Sequence, residues 1–344
     1  MLNVAGAVNA RNWCGRYNIR MILAADVGGS KTLVGLFEVM RPRPRLVDAE
    51  AVRTLDFESL PALLDSYLSR HRGVILDRVG LGVAGPILHG EATLTNVPWR
   101  VRGNEVSVLT GVADVRLLND LEAMAYAVPW LTAGELHTLR PGRPAPNGNA
   151  ALIAAGTGLG EAVLHRVGGR MLPVPSEAGH ADFAVRTDDE LGLFALLRAR
   201  FGRVEIEHVI CGPGLVRLAE FAHAGPRCEV IGNFENDADG AARVSASGVE
   251  GRCECCRRAV TMFVDAYGAE AGNLALRAVA TAGVYIGGGI APKLLPALAG
   301  EAFLGPFTAK PPMTALLADI PVHVILNDQA ALVGAAVATV ADPD

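Results

Sequence analysis

Apolar and polar positions alternate along the chain in short blocks separated by glycine, proline and small polar residues. Apolar runs bounded by turn residues predict strands, and apolar residues recurring every three or four positions predict helices. MILAADV (21–27) and TLVGLFEVM (32–40) read as strands around a Gly28-Gly29 turn, and ESLPALLDSYLSRH (58–71) reads as an amphipathic helix. RVGLGVAGPI (78–87) is strand-like up to Gly85-Pro86, ATLTNVPWRV (92–101) is a strand region, and DVRLL (114–118) runs into helical LEAMAYAV (121–128). Strand and helix then alternate to the end, through AVTMFVDAYGAEAGNLALRAVAT (259–281) as a long helix, GVYIGGGIAPKLLPAL (283–298) as strand, turn and helix, and PVHVIL (321–326) as a strand. DQAALVGAAVATV (328–340) closes the chain as a helix with Asn327 or Asp328 expected at its N-cap. The alternation predicts an α/β protein.

The pattern occurs twice. AALIAAGTGLGEAVLHRV (150–167) repeats the apolar strand, glycine-hydroxyl turn and second strand of the opening, and LLNDLEAMA (117–125) is echoed by ILNDQAALV (325–333). Two echoes in the same order predict two related halves. RPGRPAPNGN (140–149), rich in proline and glycine, reads as a loop and a domain boundary. The expected organisation is an extension over 1–20, a small α/β domain over 21–140 and a larger one over 141–344, with the last helix packing back on the first domain.

Composition narrows the partners. The 344 residues are 51% hydrophobic with a formal net charge of −5, and their basic residues are scattered, so no nucleic-acid footprint is expected. The apolar run AALVGAAVATVA (330–341) is shorter than the ~18 residues that suggest a membrane span. Residues 1–20 hold three arginines and no Asp or Glu, a faint echo of a targeting peptide, but they read better as a loose extension. Six cysteines in a chain of this length read as reduced thiols of a cytoplasmic protein rather than a disulfide framework. Cys253, Cys255 and Cys256 are dense enough to raise a metal site with His180 as fourth ligand. The long separation from His180 weighs against it.

Glycine turns carry the candidate chemistry. Without a Cβ the backbone can approach a phosphate closely and aim successive N–H groups at it. Gly28-Gly29-Ser30 and Gly156-Thr157-Gly158-Leu159-Gly160 both suit that task, yet neither is a Walker or dinucleotide pattern, and each alone is better explained as a hairpin turn. Together with IGGGIAP (286–292) they supply three turns at strand ends, enough for the phosphates and adenosine of one nucleotide.

The ordered set resembles the sugar-kinase branch of the actin, hexokinase and Hsp70 superfamily, most closely the bacterial glucokinases. LAADVGGSKT is similar to that family's first phosphate hairpin, LTNVPW to the segment before the sugar cleft, and LLNDLEAMAY to the catalytic segment. AAGTGLGEA is similar to the second phosphate hairpin, PSEAGHADF and EHVICGPGL to the sugar-binding segments, and YIGGGIAP to the adenosine motif. The resemblance runs from about Met21 to the last helix. It implies two actin-like (ribonuclease H-like) domains with an ATP and sugar cleft between them, a homodimer, and ATP-dependent phosphorylation of glucose to glucose 6-phosphate.

The resemblance also implies roles. Asp120 would be the general base on the 6-hydroxyl, where an isolated Asn-Asp at a strand-helix junction would otherwise read as a cap. Asn96, Asn119, Asp120, Glu177, His180 and Glu207 would contact the sugar, with Trp99 either an apolar wall or a core residue. Asp26, Val27, Gly28, Gly29, Ser30, Lys31, Gly156, Thr157, Gly158, Gly287, Gly288 and Gly289 would hold ATP. Asp26 would face Mg²⁺ through phosphates or water.

Three departures stand out. Ser30-Lys31 replaces the usual Thr-Asn and is more like repressor-type sugar kinases, so Lys31 is either a contact or a branch marker. Glu177-Ala178-Gly179-His180 replaces Glu-Gly-Gly-His, and Glu161 stands where an apolar residue is common, which nothing in the sequence explains. The sugar itself stays open among glucose, mannose and N-acetylglucosamine. A non-catalytic sugar-sensing regulator would keep the fold without turnover, but the short extension is too small for a DNA-binding module. An actin- or Hsp70-like ATPase would share the phosphate hairpins and have no need of Glu177, His180 and Glu207.

Overall fold

The computed structural model describes residues 20–41, 43–85, 87–94, 97–234 and 239–341. Two compact units emerge, one holding the described residues up to Leu131 together with those from Gln329, the other spanning Thr132–Asp328.

In the first unit, β1 (Arg20–Val27), β2 (Lys31–Glu38), β3 (Arg45–Arg53), β4 (Ile75–Val83) and β5 (Val115–Asn119) form one sheet in the order β3-β2-β1-β4-β5. β1, β2 and β3 are a meander of antiparallel hairpins, while β4 and β5 add to β1 in parallel. The apolar run of β1 makes it the central strand: Met21 to Ala25 and Val27 are all buried. The helix Leu60–Ser69 covers the sheet with Leu60, Leu63, Leu64 and Tyr67, capped by Ser59, whose hydroxyl accepts the Ala62 N–H.

In the second unit, β6 (Leu136–Arg140), β7 (Ala150–Ala155), β8 (Leu159–Val167), β9 (Arg170–Ser176), β10 (Gly283–Gly287) and β11 (Val322–Ile325) are ordered β9-β8-β7-β10-β11-β6. Five of these strands repeat the first sheet position for position: an antiparallel meander β7-β8-β9, then β10 and β11 in parallel. The motif echoes in the sequence thus correspond to equivalent places in two sheets. β6 is the addition, antiparallel to β11. Because β6 belongs to the second sheet, the units divide ahead of it, and the proline-rich stretch after Arg140 is a loop within the second unit, its Arg143 and Ala145 N–H groups donating to Asp319 and Thr281 carbonyls.

Four helices position the candidate functional residues: α1 (Asp120–Ala127), α2 (Gly212–His223), α3 (Glu254–Ala278) and α4 (Ala330–Val340). α4 is part of the first unit, where it packs on α1, β4 and β1. Its small residues permit that closeness, since a Cβ at Gly334 would lie 1.7 Å from the Ala123 carbonyl oxygen. α4 starts later than the sequence suggests, with Gln329 rather than Asn327 or Asp328 at its cap position, and the Asn327 amide instead donates to Glu135 at 2.6 Å. No helix among the described residues is long and apolar enough to cross a membrane. Residues 1–19 of the expected extension lie outside the described residues.

Candidate active site

In the first unit the turn Gly28-Gly29-Ser30 joins β1 to β2, closed by the Gly28 N–H donating to the Lys31 carbonyl at 3.1 Å. Glycine is needed at position 28, because a Cβ there would come within 2.8 Å of that carbonyl oxygen. The turn is held from beneath by two threonines, Thr32 at the end of the hairpin motif and Thr54, to which no motif pointed. The Thr54 hydroxyl donates to the Gly28 carbonyl at 2.7 Å and pairs with the Thr32 hydroxyl at 2.9 Å, and the Thr54 N–H donates to the Ser30 carbonyl. Both threonines are fully buried, so these bonds are shielded from water. Ser30 and Lys31 are exposed at the tip, whereas the Val27 side chain is in the core and its carbonyl accepts the Ala84 N–H. Only the backbone of Val27 is left for any ligand.

Asp26, the penultimate residue of β1, lies beside Gly82 of β4. A Cβ on Gly82 would meet Asp120 Cα at 3.7 Å and Ala123 Cβ at 2.9 Å, so the missing side chain is what lets the start of α1 sit over this row. Two carboxyl groups are thereby brought together. Burial first, and the charge of Asp120 second, push Asp26 up to about 7 against the pull of Lys31.

Asn119, not Asp120, caps α1. Its Oδ1 accepts the Leu121 and Glu122 N–H groups at 2.9 and 3.4 Å, and its Nδ2 donates to the Gly85 carbonyl at 3.3 Å. Capping is therefore done by the neighbour, while Asp120 Oδ1 accepts the Leu121 N–H at 2.8 Å from the first helical position. Trp99 is a core residue of this unit, 5% exposed, which settles the choice between core and wall. Asn96 lies outside the described residues.

In the second unit the turn Gly156-Thr157-Gly158 joins β7 to β8, with the Gly156 N–H donating to the Gly158 carbonyl at 2.8 Å. Three supports converge on it. The N–H of Gly212, which opens α2, donates to the Gly156 carbonyl at 2.9 Å; the Tyr267 hydroxyl of α3 accepts the Ala155 N–H at 3.2 Å; and Glu207 Oε2 accepts the Leu159 N–H at 2.8 Å. A Cβ on Gly158 would stand 2.5 Å from that Glu207 oxygen. Gly287-Gly288-Gly289 arrives at the same place from β10, with Gly288 at φ +83° and a would-be Cβ 2.2 Å from the Ala155 carbonyl oxygen. A cleft of about 630 Å³ opens here, lined by Gly156, Thr157, Gly212, Ser245, Gly289 and Lys293. The positive end of α2, a twelve-residue helix, faces it at Gly212. Gly212-Pro213 has the Pro-near-the-start signature of a helix N-terminus, although its segment resembled a sugar-binding one.

Glu177 and His180 flank the short turn Ala178–His180, and both are exposed. Gly179 is buried against β8, where a Cβ would be 2.1 Å from the Leu159 carbonyl oxygen. His180 Nδ1 is 2.8 Å from Glu205 Oε2, a partner that no motif singled out, two residues before Glu207. The hydrogen bond with Glu205 raises the imidazole above its ordinary value, against a smaller burial effect. Glu207 is turned toward the hairpin backbone through one oxygen, so it braces the glycine turn whatever else it does.

The glucokinase sequence family matches residues 23–342. The glucokinase of Nostoc punctiforme is 34% identical over 333 residues, covering 92% of this chain and 98% of that protein, and that of Cronobacter sakazakii is 34% identical over 313 residues, covering 91% and 95%. The chain belongs to the glucokinase family.

Solved glucokinases agree with this assignment. A glucokinase from an Antarctic psychrotroph superposes with a TM-score of 0.83 at 30% identity, covering 94% of this chain and all of that one. A glucokinase of Streptomyces griseus from the ROK family, solved with glucose and AMPPNP, has a TM-score of 0.61 at 21% identity over 94% of this chain, a likeness of fold. The fold expected from the motifs, α/β with two sugar-kinase halves, is borne out by these matches. So is the reading as a glucokinase-family kinase.

Proposed function

We propose that the protein catalyses ATP-dependent phosphorylation of glucose to glucose 6-phosphate, with Asp120 as general base. Membership of the glucokinase family supports the reaction, and the placement of Asp120 at the head of α1, where Asn119 rather than Asp120 is the N-cap, supports the role. Asp120 accepts the 6-hydroxyl proton as the hydroxyl oxygen bonds to the γ-phosphorus, and the bond to the bridging oxygen breaks to release ADP. Positioning and charge stabilisation supply most of the acceleration in such a transfer.

The second-unit cleft, with backbone N–H groups and Lys293 along it, suits the nucleotide. Gly28, Gly29 and Ser30 offer the first hairpin to phosphate, with Lys31 exposed beside them. Glu177, His180 and Glu207 are assigned to the sugar, joined by Asn119 and Asn96. A divalent cation fits beside Asp26, since a buried carboxyl raised by burial and by the charge of Asp120 gains from a positive charge between phosphate and protein. Mg²⁺ supplies charge neutralisation on the phosphates when bound, and Asp26 is the residue assigned to its shell. Family resemblance further points to a homodimer acting in the cytoplasm at the start of glycolysis, which light scattering on the purified protein and fractionation of cells would check.

ADP release measured across glucose, mannose and N-acetylglucosamine tests the reading, with Asp120→Asn run in parallel. Glucose-stimulated release that collapses in the variant is expected. Release independent of any sugar would instead indicate an ATPase, and strong preference for another sugar would move the substrate while keeping the chemistry.

A further inference from the structure

Three cysteines and a histidine meet in the second unit, at the end of α2 opposite Gly212 and at the start of α3, ahead of Tyr267. The last residue of α2 is His223, and Cys253 caps α3, whose first turn contains Cys256. Cys228 comes from a small hairpin, Arg227–Cys228 paired with Gly232–Asn233. One donor atom from each of the four lies within 4.8 Å of every other.

The separations suit a shared ion. Cys228 Sγ is 3.5 Å from Cys253 Sγ, and His223 Nε2 is 3.4 Å from Cys253 Sγ and 4.0 Å from Cys256 Sγ. A tetrahedral zinc with Zn–S near ~2.3 Å and Zn–N near ~2.0 Å sets its ligands roughly 3.5 to 3.8 Å apart. A disulfide would need its sulfurs at about 2.05 Å. The contacts are therefore too long for a bond and right for ligands of one cation.

The surroundings prepare the donors. His223 Nδ1 lies 2.9 Å from the Ala219 carbonyl, a bond that places the ring proton on Nδ1 and turns the lone pair of Nε2 toward the sulfurs. Backbone N–H groups of Val230 and Cys256 point at Cys228 Sγ and Cys253 Sγ, 3.4 and 3.5 Å away, as they would for thiolates. Cys228 and Cys256 are buried and His223 and Cys253 half-buried, so the set is closed on most sides. Cys253-x-x-Cys256 and His223-x-x-x-x-Cys228 also have the short spacings of structural zinc sites. His180, raised from the sequence as a fourth ligand and weighed against there, is not one: it pairs with Glu205, and Cys255 is not among the four donors.

We propose that His223, Cys228, Cys253 and Cys256 bind one structural zinc ion. Three thiolates and one imidazole favour zinc over the hard, oxygen-seeking cations, and four protein ligands leave no open position for catalysis. The ion ties the end of α2, the hairpin at Cys228 and the start of α3 into one block. Those two helices reach the second glycine turn through Gly212 and Tyr267, so the block steadies the helices that hold it.

The full-length protein, purified in reducing buffer without chelator, is expected to contain one zinc per chain by elemental analysis. Replacing zinc with Co²⁺ is expected to give the intense visible bands of tetrahedral thiolate coordination, and stripping the metal to lower Tm. Cys253→Ser combined with Cys256→Ser should abolish metal content, while Cys255→Ser retains it. Metal-free wild-type protein that takes up neither Zn²⁺ nor Co²⁺ under reducing conditions would overturn the site, and this holds even where the double variant fails to fold. Full zinc content in that double variant, a Cys228–Cys253 disulfide in reduced preparations, or a Tm indifferent to the metal would overturn it as well.

Discussion

Asp26 and Asp120 repel one another beside Gly82, and after burial the charge of Asp120 is the largest cause holding the Asp26 carboxyl up near 7. One carboxyl is placed to take a proton and the other to meet a cation. They are coupled through charge, which makes each a probe of the other.

Asp120→Asn removes the base without changing side-chain shape. Turnover is expected to fall by roughly 10² to 10⁴, the usual worth of a positioned base, while ATP affinity and Tm change little. The same substitution removes a raising influence on Asp26, so the Asp26 carboxyl should titrate below about 7 in the variant, as read by ¹³C NMR of aspartate side chains. An Asp26 titration unmoved by the substitution would show that burial alone sets it.

Thr54→Val keeps the shape of a fully buried side chain but removes the bonds to the Gly28 carbonyl and the Thr32 hydroxyl. Leaving a buried carbonyl without its donor costs about 1–3 kcal/mol. Urea unfolding should show that loss, and KM for ATP should rise with KM for glucose nearly constant. Thr54→Ser restores the hydroxyl and should recover both.

Glu207 has one oxygen on the Leu159 N–H and is assigned a sugar contact for the other. Glu207→Gln can keep the brace, because an amide oxygen also accepts, so KM for glucose is expected to rise about tenfold or more (~1.4 kcal/mol) with KM for ATP unchanged. Glu207→Ala removes both functions and should raise both constants. A Gln variant with wild-type kinetics would leave Glu207 as a brace alone.

The fold was largely legible because its signals are local. β1 and β7 are short apolar runs ended by glycine, and the Leu-Asn-Asp echo marks the same strand-to-helix junction in each half. What escaped were partners distant in sequence. Thr54 follows β3 with no motif around it, yet it closes on Gly28 twenty-six residues earlier. His223 and Cys228 look ordinary alone and become a set only when α2 and α3 bring Cys253 and Cys256 to them. Asn327 illustrates a different failure, since a good capping residue is diverted to Glu135 by tertiary contact. Glu161 is the fullest case, because its neighbours come from a helix more than a hundred residues later.

Glu161 is fully buried on β8, with Arg277 Nη1 3.7 Å away and Glu270 beside it. Glu270 takes the closer contacts, 2.6 Å from Arg277 and 2.8 Å from Asn273, which leaves Glu161 poorly compensated. Burial first, then the charge of Glu270, push Glu161 up to about 8 against Arg277, so it is mainly protonated at neutral pH. A carboxyl whose pKa is higher folded than unfolded contributes stability that is present below about 4.5 and is lost as pH rises to about 8. Glu161→Gln mimics the protonated form at every pH. Its stability should match wild type near pH 5 and exceed it by on the order of a few kcal/mol at pH 9, measured by urea unfolding at both values. A variant less stable than wild type at pH 9 would mean that the ionised carboxylate, paired with Arg277, is the form the fold uses.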